Sequence, residues 1–248
     1  MRAHNVGGLL GPSHRRPAFR RHGGGEIDDD EFRRAQDEAI RDVVALQEDL
    51  GLRVVTDGEL RRASYWSSFV AAVDGLEVGK SRFKFTDRAG DRLAFIAPRA
   101  TGPLRRSGPI AGAELDFLAE VASATPKITL PSPSTMQFWH GPPAGAYSSS
   151  EDFFADLAAI YRAEIADLAA RGATLVQLDE VALAVLCDPA VRRAVEAAGQ
   201  VPGQLVDDHV AAIAAAGAER PAGVSLALHV CRGNYKGRWL ASGGYEPV

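Results

Sequence analysis

The chain has 248 residues, 46% of them hydrophobic and 24% charged, with a formal net charge of −4. That length supports one large domain with a full core, and the ordinary composition excludes disorder along the whole chain. The mildly acidic balance gives no footprint for nucleic acid or an anionic membrane, and no apolar run approaches the roughly 20 residues that span a bilayer. The opening Met1-Arg2-Ala3-His4-Asn5 lacks the layout of a secretion signal. Two cysteines, Cys187 and Cys231, are too few for a disulfide framework and suit a reducing compartment, with the cytoplasm as default.

Val6-Gly7-Gly8-Leu9-Leu10 reads as a short strand running into a turn. Arg15, Arg16, Arg20 and Arg21 follow, then Gly23-Gly24-Gly25, together a solvated loop with some capacity for an anion. Asp28 to Glu31 open a helix whose apolar residues recur to Leu50, closed by Gly51. Leu52 to Asp57 is a strand. Residues 66–125 break the rhythm: Arg82-Phe83-Lys84-Phe85 alternates as a half-exposed strand does, and Leu93 to Ile96 is its expected antiparallel partner. This is an inserted excursion spanning 76–125 within a single domain of residues 1–248, with a short helix from Glu114 to Ala122. Lys127 to Leu130 is the next strand. Ser150 caps a helix from Glu151 to Ala170, Thr174 to Asp179 is a strand, and Pro189 opens another helix. A helix from Gln204 to Ala216 leads to a last strand, Val224 to His229.

Alternating strands and helices imply parallel pairing. No Gly-x-Gly-x-x-Gly turn marks an open dinucleotide-binding sheet. Strand after strand ends in a reactive group: Asp57 and Glu59, Ser132, Asp179 and Glu180, His229 and Cys231. A (βα)8 barrel builds its active site at that end of its strands. The expected fold is therefore α/β, a TIM-type barrel with about five of eight core strands present and an antiparallel excursion after the second.

His229-Val230-Cys231 places an imidazole and a thiol on the same side of an extended segment, and both are good zinc ligands. The alternative is a buried histidine beside a filler cysteine. Asp179 ends a buried strand, where an unpaired acid is costly, and so is expected at its mouth. For Glu180 a salt bridge to a loop arginine weighs equally. Gly58 lets the chain turn so that Glu59 reaches back over the mouth, although a plain turn accounts for Asp57. Trp139, after the stiff Pro131-Ser132-Pro133-Ser134 loop, offers a face for a flat heterocycle or simply packs under the loop.

In this order and spacing, Val54-Val55-Thr56-Asp57-Gly58-Glu59, Pro131-Ser132-Pro133-Ser134, Val176-Gln177-Leu178-Asp179-Glu180 and His229-Val230-Cys231-Arg232-Gly233-Asn234 resemble the cobalamin-independent methionine synthase family, in particular its short single-barrel members. The resemblance runs from about Val6 to Val248. It implies a βα barrel that transfers a methyl group from a folate-type donor, 5-methyltetrahydrofolate or a relative, to homocysteine, giving methionine. It implies zinc on His229 and Cys231, and the substrate held by Glu59 and Asp179 with Gly8 and Ser132 beside them. It implies a pterin against Trp139.

Two departures stand out. The family's later glutamate and cysteine zinc ligands have no counterpart before Val248, which leads to the expectation of a fragment of a longer product, or of completion by Cys187, His140 or His209. The family's Gly-Ser at the first strand is Gly7-Gly8 here. The rival readings are a uroporphyrinogen-decarboxylase-like barrel, which would use the arginine cluster, and a non-catalytic truncated paralogue.

Overall fold

The computed structural model describes residues 3–13, 15–141, 145–235 and 237–248. Met1, Arg2 and the side chains of Arg15 and Arg16 lie outside the described residues. The arginine-rich segment expected as a loop is helix α1 (Arg15–Gly23). Arg20, Arg21 and His22 occupy its last turn, where cations complement the carbonyl end of the helix. Arg21 pairs with Glu26 and Glu31, so its charge is already matched by neighbouring carboxylates.

Helix α2 (Asp29–Asp49) starts at Asp28, whose side chain accepts from the Glu31 N–H at 2.7 Å. Its stripe of Ala39, Ile40, Val43 and Val44 is buried in the core. Strand β1 is only Val54–Val55. Beyond it, the Thr56 N–H donates to Gln47 Oε1 at 3.0 Å and its hydroxyl to the Gly7 carbonyl at 2.7 Å, so side chains replace ladder bonds. The expected first strand lies alongside as extended chain: the Leu9 N–H donates to the Gly58 carbonyl, and Asn5 Nδ2 to Thr56 Oγ1.

After α3 (Ser67–Ala71) comes a long hairpin of β2 (Val73–Thr86) and β3 (Arg92–Arg106), antiparallel with Lys84 opposite Ala94 and Phe85 opposite Leu93. Next are α4 (Gly112–Val121), β4 (Thr125–Pro126), β5 (Ile128–Pro131), α5 (Thr135–Phe138) and α6 (Ser150–Ala170). Ser149, one residue earlier than expected, caps α6 by accepting from the Asp152 N–H at 3.0 Å. The chain continues as β6 (Leu175–Glu180), α7 (Ala182–Val185), α8 (Pro189–Ala197), α9 (Pro202–Gly217), β7 (Ser225–Val230), β8 (Asn234–Tyr235) and β9 (Arg238–Trp239).

β4 pairs parallel with β1, and β5 pairs parallel with β6, which pairs parallel with β7. The Lys127 N–H, between β4 and β5, donates to the Val55 carbonyl, so the two short sheets are nearly continuous. Among the described residues the two sheets are open, so the fold is of the expected α/β class with its parallel sheet unclosed. Every residue of β5 is buried, as a covered parallel strand demands, whereas Leu228 and Val230 of the end strand β7 are 47% and 40% exposed. The four-stranded sheet is different in kind: β8 and β9 join the hairpin in the antiparallel order β3-β2-β9-β8. Within the parallel part, Ile128, Leu130, Val176 and Leu178 enter the main core cluster with α6, while Lys127, Thr129, Gln177 and Asp179 alternate onto the other face.

Candidate functional site

Alternation along β6 separates the two acids that are adjacent in sequence. Glu180 turns towards the helices and is fully buried, accepting from the Leu183 N–H at 2.7 Å and from the Ser134 hydroxyl. Among the described residues it pairs with no arginine, unlike the salt bridge weighed for it, and it fixes the turn into α7. Asp179 turns to the opposite face and lines a cavity of about 560 Å³. Its register partner on β7 is His229, so the two side chains stand on neighbouring parallel strands, about 5 Å apart at the backbone. Cys231 follows two residues on, its N–H bonded to the Glu180 carbonyl, and lines the same cavity.

Glu59 reaches this cavity from β1. Gly58 has φ 67° and Glu59 itself φ 55°, a left-handed conformation uncommon outside glycine. Asp57 Oδ1 accepts from the Glu59 N–H at 2.9 Å and holds that turn. Glu59 Oε1 accepts from Thr129 Oγ1 at 2.8 Å, which in turn accepts from Arg62 Nη1 at 2.9 Å. Arg62 also donates through Nε to both carboxylate oxygens of Glu114, at 3.1 and 3.0 Å. Gly7 and Gly8 make room for this carboxylate: a Cβ at Gly7 would lie 2.6 Å from Glu59 Oε1, and one at Gly8 3.3 Å from Oε2. The glycine at position 7 is the one the Glu59 carboxylate requires, while a side chain at position 8 would be tight against it.

The electrostatics follow from burial. Burial raises the Asp179 carboxyl to about 7, with the bond from Gln177 Nε2 opposing the shift and Glu59 adding to it. Burial, then Glu114, raises Asp57 to about 6, and its Oδ2 has no partner among the described residues. Burial lowers the Lys127 ammonium to about 8. That ammonium donates to the Val6 carbonyl at 2.9 Å and Gln177 Oε1 at 2.7 Å, forming a polar floor beneath Asp179 that ties down the N-terminal segment. Burial, then Lys127, lowers the His229 imidazole.

Glu59, Asp179, Gly8, His229, Cys231 and Trp139 therefore share one cavity. Ser132 does not line it: it is fully buried, its N–H donates to the Asp179 carbonyl at 3.0 Å, and its hydroxyl accepts from Ser134 at 3.3 Å. Trp139 is 3% exposed, wedged edge-on between Phe95 and Phe138, so its faces are not free for stacking. None of the three residues considered for completing a metal site lines the cavity. His140 bonds to the Pro98 and Lys80 carbonyls, His209 to Gln137, and Cys187 is buried. A catalytic zinc takes three protein ligands and an open position. Among the described residues no group of three or more His, Cys, Asp or Glu could hold a metal ion, so His229 and Cys231 do not by themselves fit zinc.

His209 is fully covered beneath the cavity wall, edge-on to the rings of Phe138 and Phe154, with Nδ1 lacking a partner among the described residues. Burial lowers its imidazole to about 3 from 6.5. The unfolded chain binds this proton first, so the stability His209 contributes is present above pH 6.5 and is lost as pH falls towards 3. In urea melts at pH 7 and pH 5, the wild type will lose more stability on acidification than His209→Gln. Equal losses would contradict the assignment.

Sequence reasoning missed Arg62 with Glu114, Lys127 with Gln177, and the rings of the hairpin. The first two pairs are 52 and 50 residues apart and meet only in the folded chain. Among the described residues no helix is long and apolar enough to cross a membrane.

The family model described as the catalytic domain of cobalamin-independent synthase matches residues 4–238. The chain is 32% identical over 250 residues to the uncharacterized protein YxjH of Bacillus subtilis strain 168, covering 100% of this chain and 66% of YxjH. It is 28% identical over 233 residues to a methionine synthase of Sulfurisphaera tokodaii, covering 93% and 61% of the two chains. A solved structure, the putative vitamin-B12 independent methionine synthase of Listeria monocytogenes, superposes with a TM-score of 0.75 at 26% identity, over 93% of this chain and 65% of that one. The chain thus spans about two thirds of the length of these relatives. With the family model covering nearly its whole length and the site residues gathered at the strand ends, the chain belongs to the cobalamin-independent methionine synthase family, in its short form.

Proposed function

We propose that the cavity binds homocysteine and takes part in methyl transfer to its thiol from 5-methyltetrahydrofolate or a related donor, giving methionine. The observation that carries this reading is the meeting of Glu59, Asp179, His229 and Cys231 on one cavity, with Asp179 and His229 in register on adjacent strands. An amino-acid ammonium between Glu59 and Asp179 relieves the repulsion and burial that keep Asp179 protonated, and charge-assisted bonds fix its pose. The thiol end then faces His229 and Cys231. The thiol loses its proton and the folate nitrogen that releases the methyl group takes one up, so the transfer balances without either carboxylate keeping a proton. The zinc that the family resemblance implies would need donors beyond these two, and among the described residues no group of three stands ready to hold it. Methyl-transfer geometry follows from holding the sulfur and the donor methyl in line.

A second reading, a non-catalytic relative that binds the amino acid only, is favoured by the exposed edge of β7 beside that two-donor set. The test supplies the folded protein with zinc, L-homocysteine and methyl-labelled 5-methyltetrahydrofolate and measures labelled methionine by mass spectrometry. The proposed activity gives product that Cys231→Ser abolishes. Absence of product from protein that still binds L-methionine supports the non-catalytic reading.

A further inference from the structure

Lys127 is 1% exposed, and a cation so buried is ordinarily paired with an acid, because desolvating it alone is costly. Its partners among the described residues include no carboxylate. They are the Asn5 and Val6 carbonyls, His4 Nδ1 and Gln177 Oε1. Gln177 fills the gap between this cation and Asp179. It is buried in the middle of the parallel sheet, opposite Thr129 on β5 and Ala227 on β7. Its Oε1 accepts from Lys127 Nζ at 2.7 Å, and its Nε2 donates to Asp179 Oδ1 at 2.6 Å and to the Val6 carbonyl at 2.7 Å. The amide fits only this way round. Reversed, it would turn its NH2 on the ammonium and its oxygen on a carboxylate and a carbonyl. A cation on Oε1 also polarises the amide and strengthens donation from Nε2. Asp179 Oδ1 is thereby engaged, while Oδ2 accepts no hydrogen bond among the described residues and the side chain lines the cavity.

We infer that Lys127 and Gln177 are positioning residues, a cation–amide relay that holds one oxygen of Asp179 and leaves the other presented to the ligand, so that the site selects a molecule bearing an ammonium. This deepens the proposed amino-acid reading and rests on it. A lysine or arginine touching Asp179 directly would fill the place that the ligand ammonium takes. Set one amide back, Lys127 orders the acid and leaves its open face free. The Val6 carbonyl accepts from both Lys127 Nζ and Gln177 Nε2, so the same relay fixes the N-terminal segment whose Gly7 and Gly8 line the cavity.

The test measures dissociation constants by titration calorimetry for two probes, L-methionine and its deaminated counterpart 4-(methylthio)butanoate. Wild type, Gln177→Met, Lys127→Met and the double variant are compared, with urea melts to establish that each is folded. Methionine at position 177 keeps the length of the side chain but neither accepts from Lys127 nor donates to Asp179. The wild type should prefer L-methionine. Each single variant should weaken L-methionine by about tenfold and change the deaminated probe by less than about twofold. The double variant should be no weaker than the single ones, because Lys127 acts through Gln177. If Lys127→Met does not fold, Gln177→Met, which leaves Lys127 its backbone acceptors, decides the matter through the ratio of the two probes. Unchanged L-methionine affinity in Gln177→Met overturns the inference, as do additive losses in the double variant. A wild type that prefers L-methionine, with variants that lose both probes equally, overturns the relay and leaves the amino-acid reading standing. A wild type that does not distinguish the probes removes both.

Discussion

Arg62→Met will destabilise the folded chain by roughly 3–5 kcal/mol, the cost of leaving buried charge without its partner. Arg62 is 7% exposed and bridges Glu114 of α4 to Thr129 of β5, with Glu59 at 4.0 Å and Asp57 nearby. Methionine keeps the length of the side chain, so the loss reports charge and hydrogen bonding more than volume. Asp57, Glu59 and Glu114 would then lose the cation that neighbours all three. Adding Glu114→Gln should restore part of the loss, since the most deeply paired carboxylate is neutralised. Urea melts of the two single variants and the double variant give the coupling directly. Additive effects, or a loss below about 1 kcal/mol for Arg62→Met, would show that the cluster is better solvated than its burial indicates.

Asp179→Asn will weaken L-methionine binding by roughly 10- to 100-fold, the span of a hydrogen bond to a charged group. The pH profile carries more information than the magnitude. Asp179 rises to about 7 in the empty site because it is buried, so at lower pH the cationic ligand must first displace a proton. Affinity in the wild type should climb about tenfold per pH unit up to 7 and then level off. Asparagine removes that climb. For stability the sign is opposite to that of His209. The folded protein holds a proton that the unfolded chain releases above pH 3.8, so the contribution from Asp179 is present at low pH and is lost as pH rises through about 7. A wild-type affinity that is flat between pH 5.5 and 7.5 would assign the ammonium to another carboxylate.

Elements with local signatures were legible in the sequence. The Asp28 cap, the Pro189 helix start and the alternation of Arg82 to Phe85 each rest on residues close together in the chain, and each corresponds to an observed element. The direction of Asp179 was legible for the same reason, because period-two alternation forces it and Glu180 to opposite faces. Helix α1 was misread because four arginines and three glycines lack an apolar stripe, although the cations in its last turn are the signal that was available. Ser132 was placed at the mouth from its position after a strand, yet the turn at Pro131 carries it into the interior beside Ser134. The Arg62–Glu114 pair, the Lys127–Gln177 floor and the row of rings are tertiary products with no local pattern to announce them. An incomplete barrel was inferred from the strand ends, and among the described residues nothing pairs with the free edge of β7, so the parallel sheet stays open.

Asp179 and Glu59 are the anchor on which the proposed chemistry depends, since they decide which end of the amino acid meets His229 and Cys231. A crystal of the protein soaked with L-selenomethionine and measured at the selenium absorption edge locates that orientation in one experiment. The account predicts an anomalous peak beside His229 and Cys231, with the ammonium between Glu59 and Asp179. A peak at the carboxylate end of the cavity, or an ammonium bound away from both acids, would contradict it.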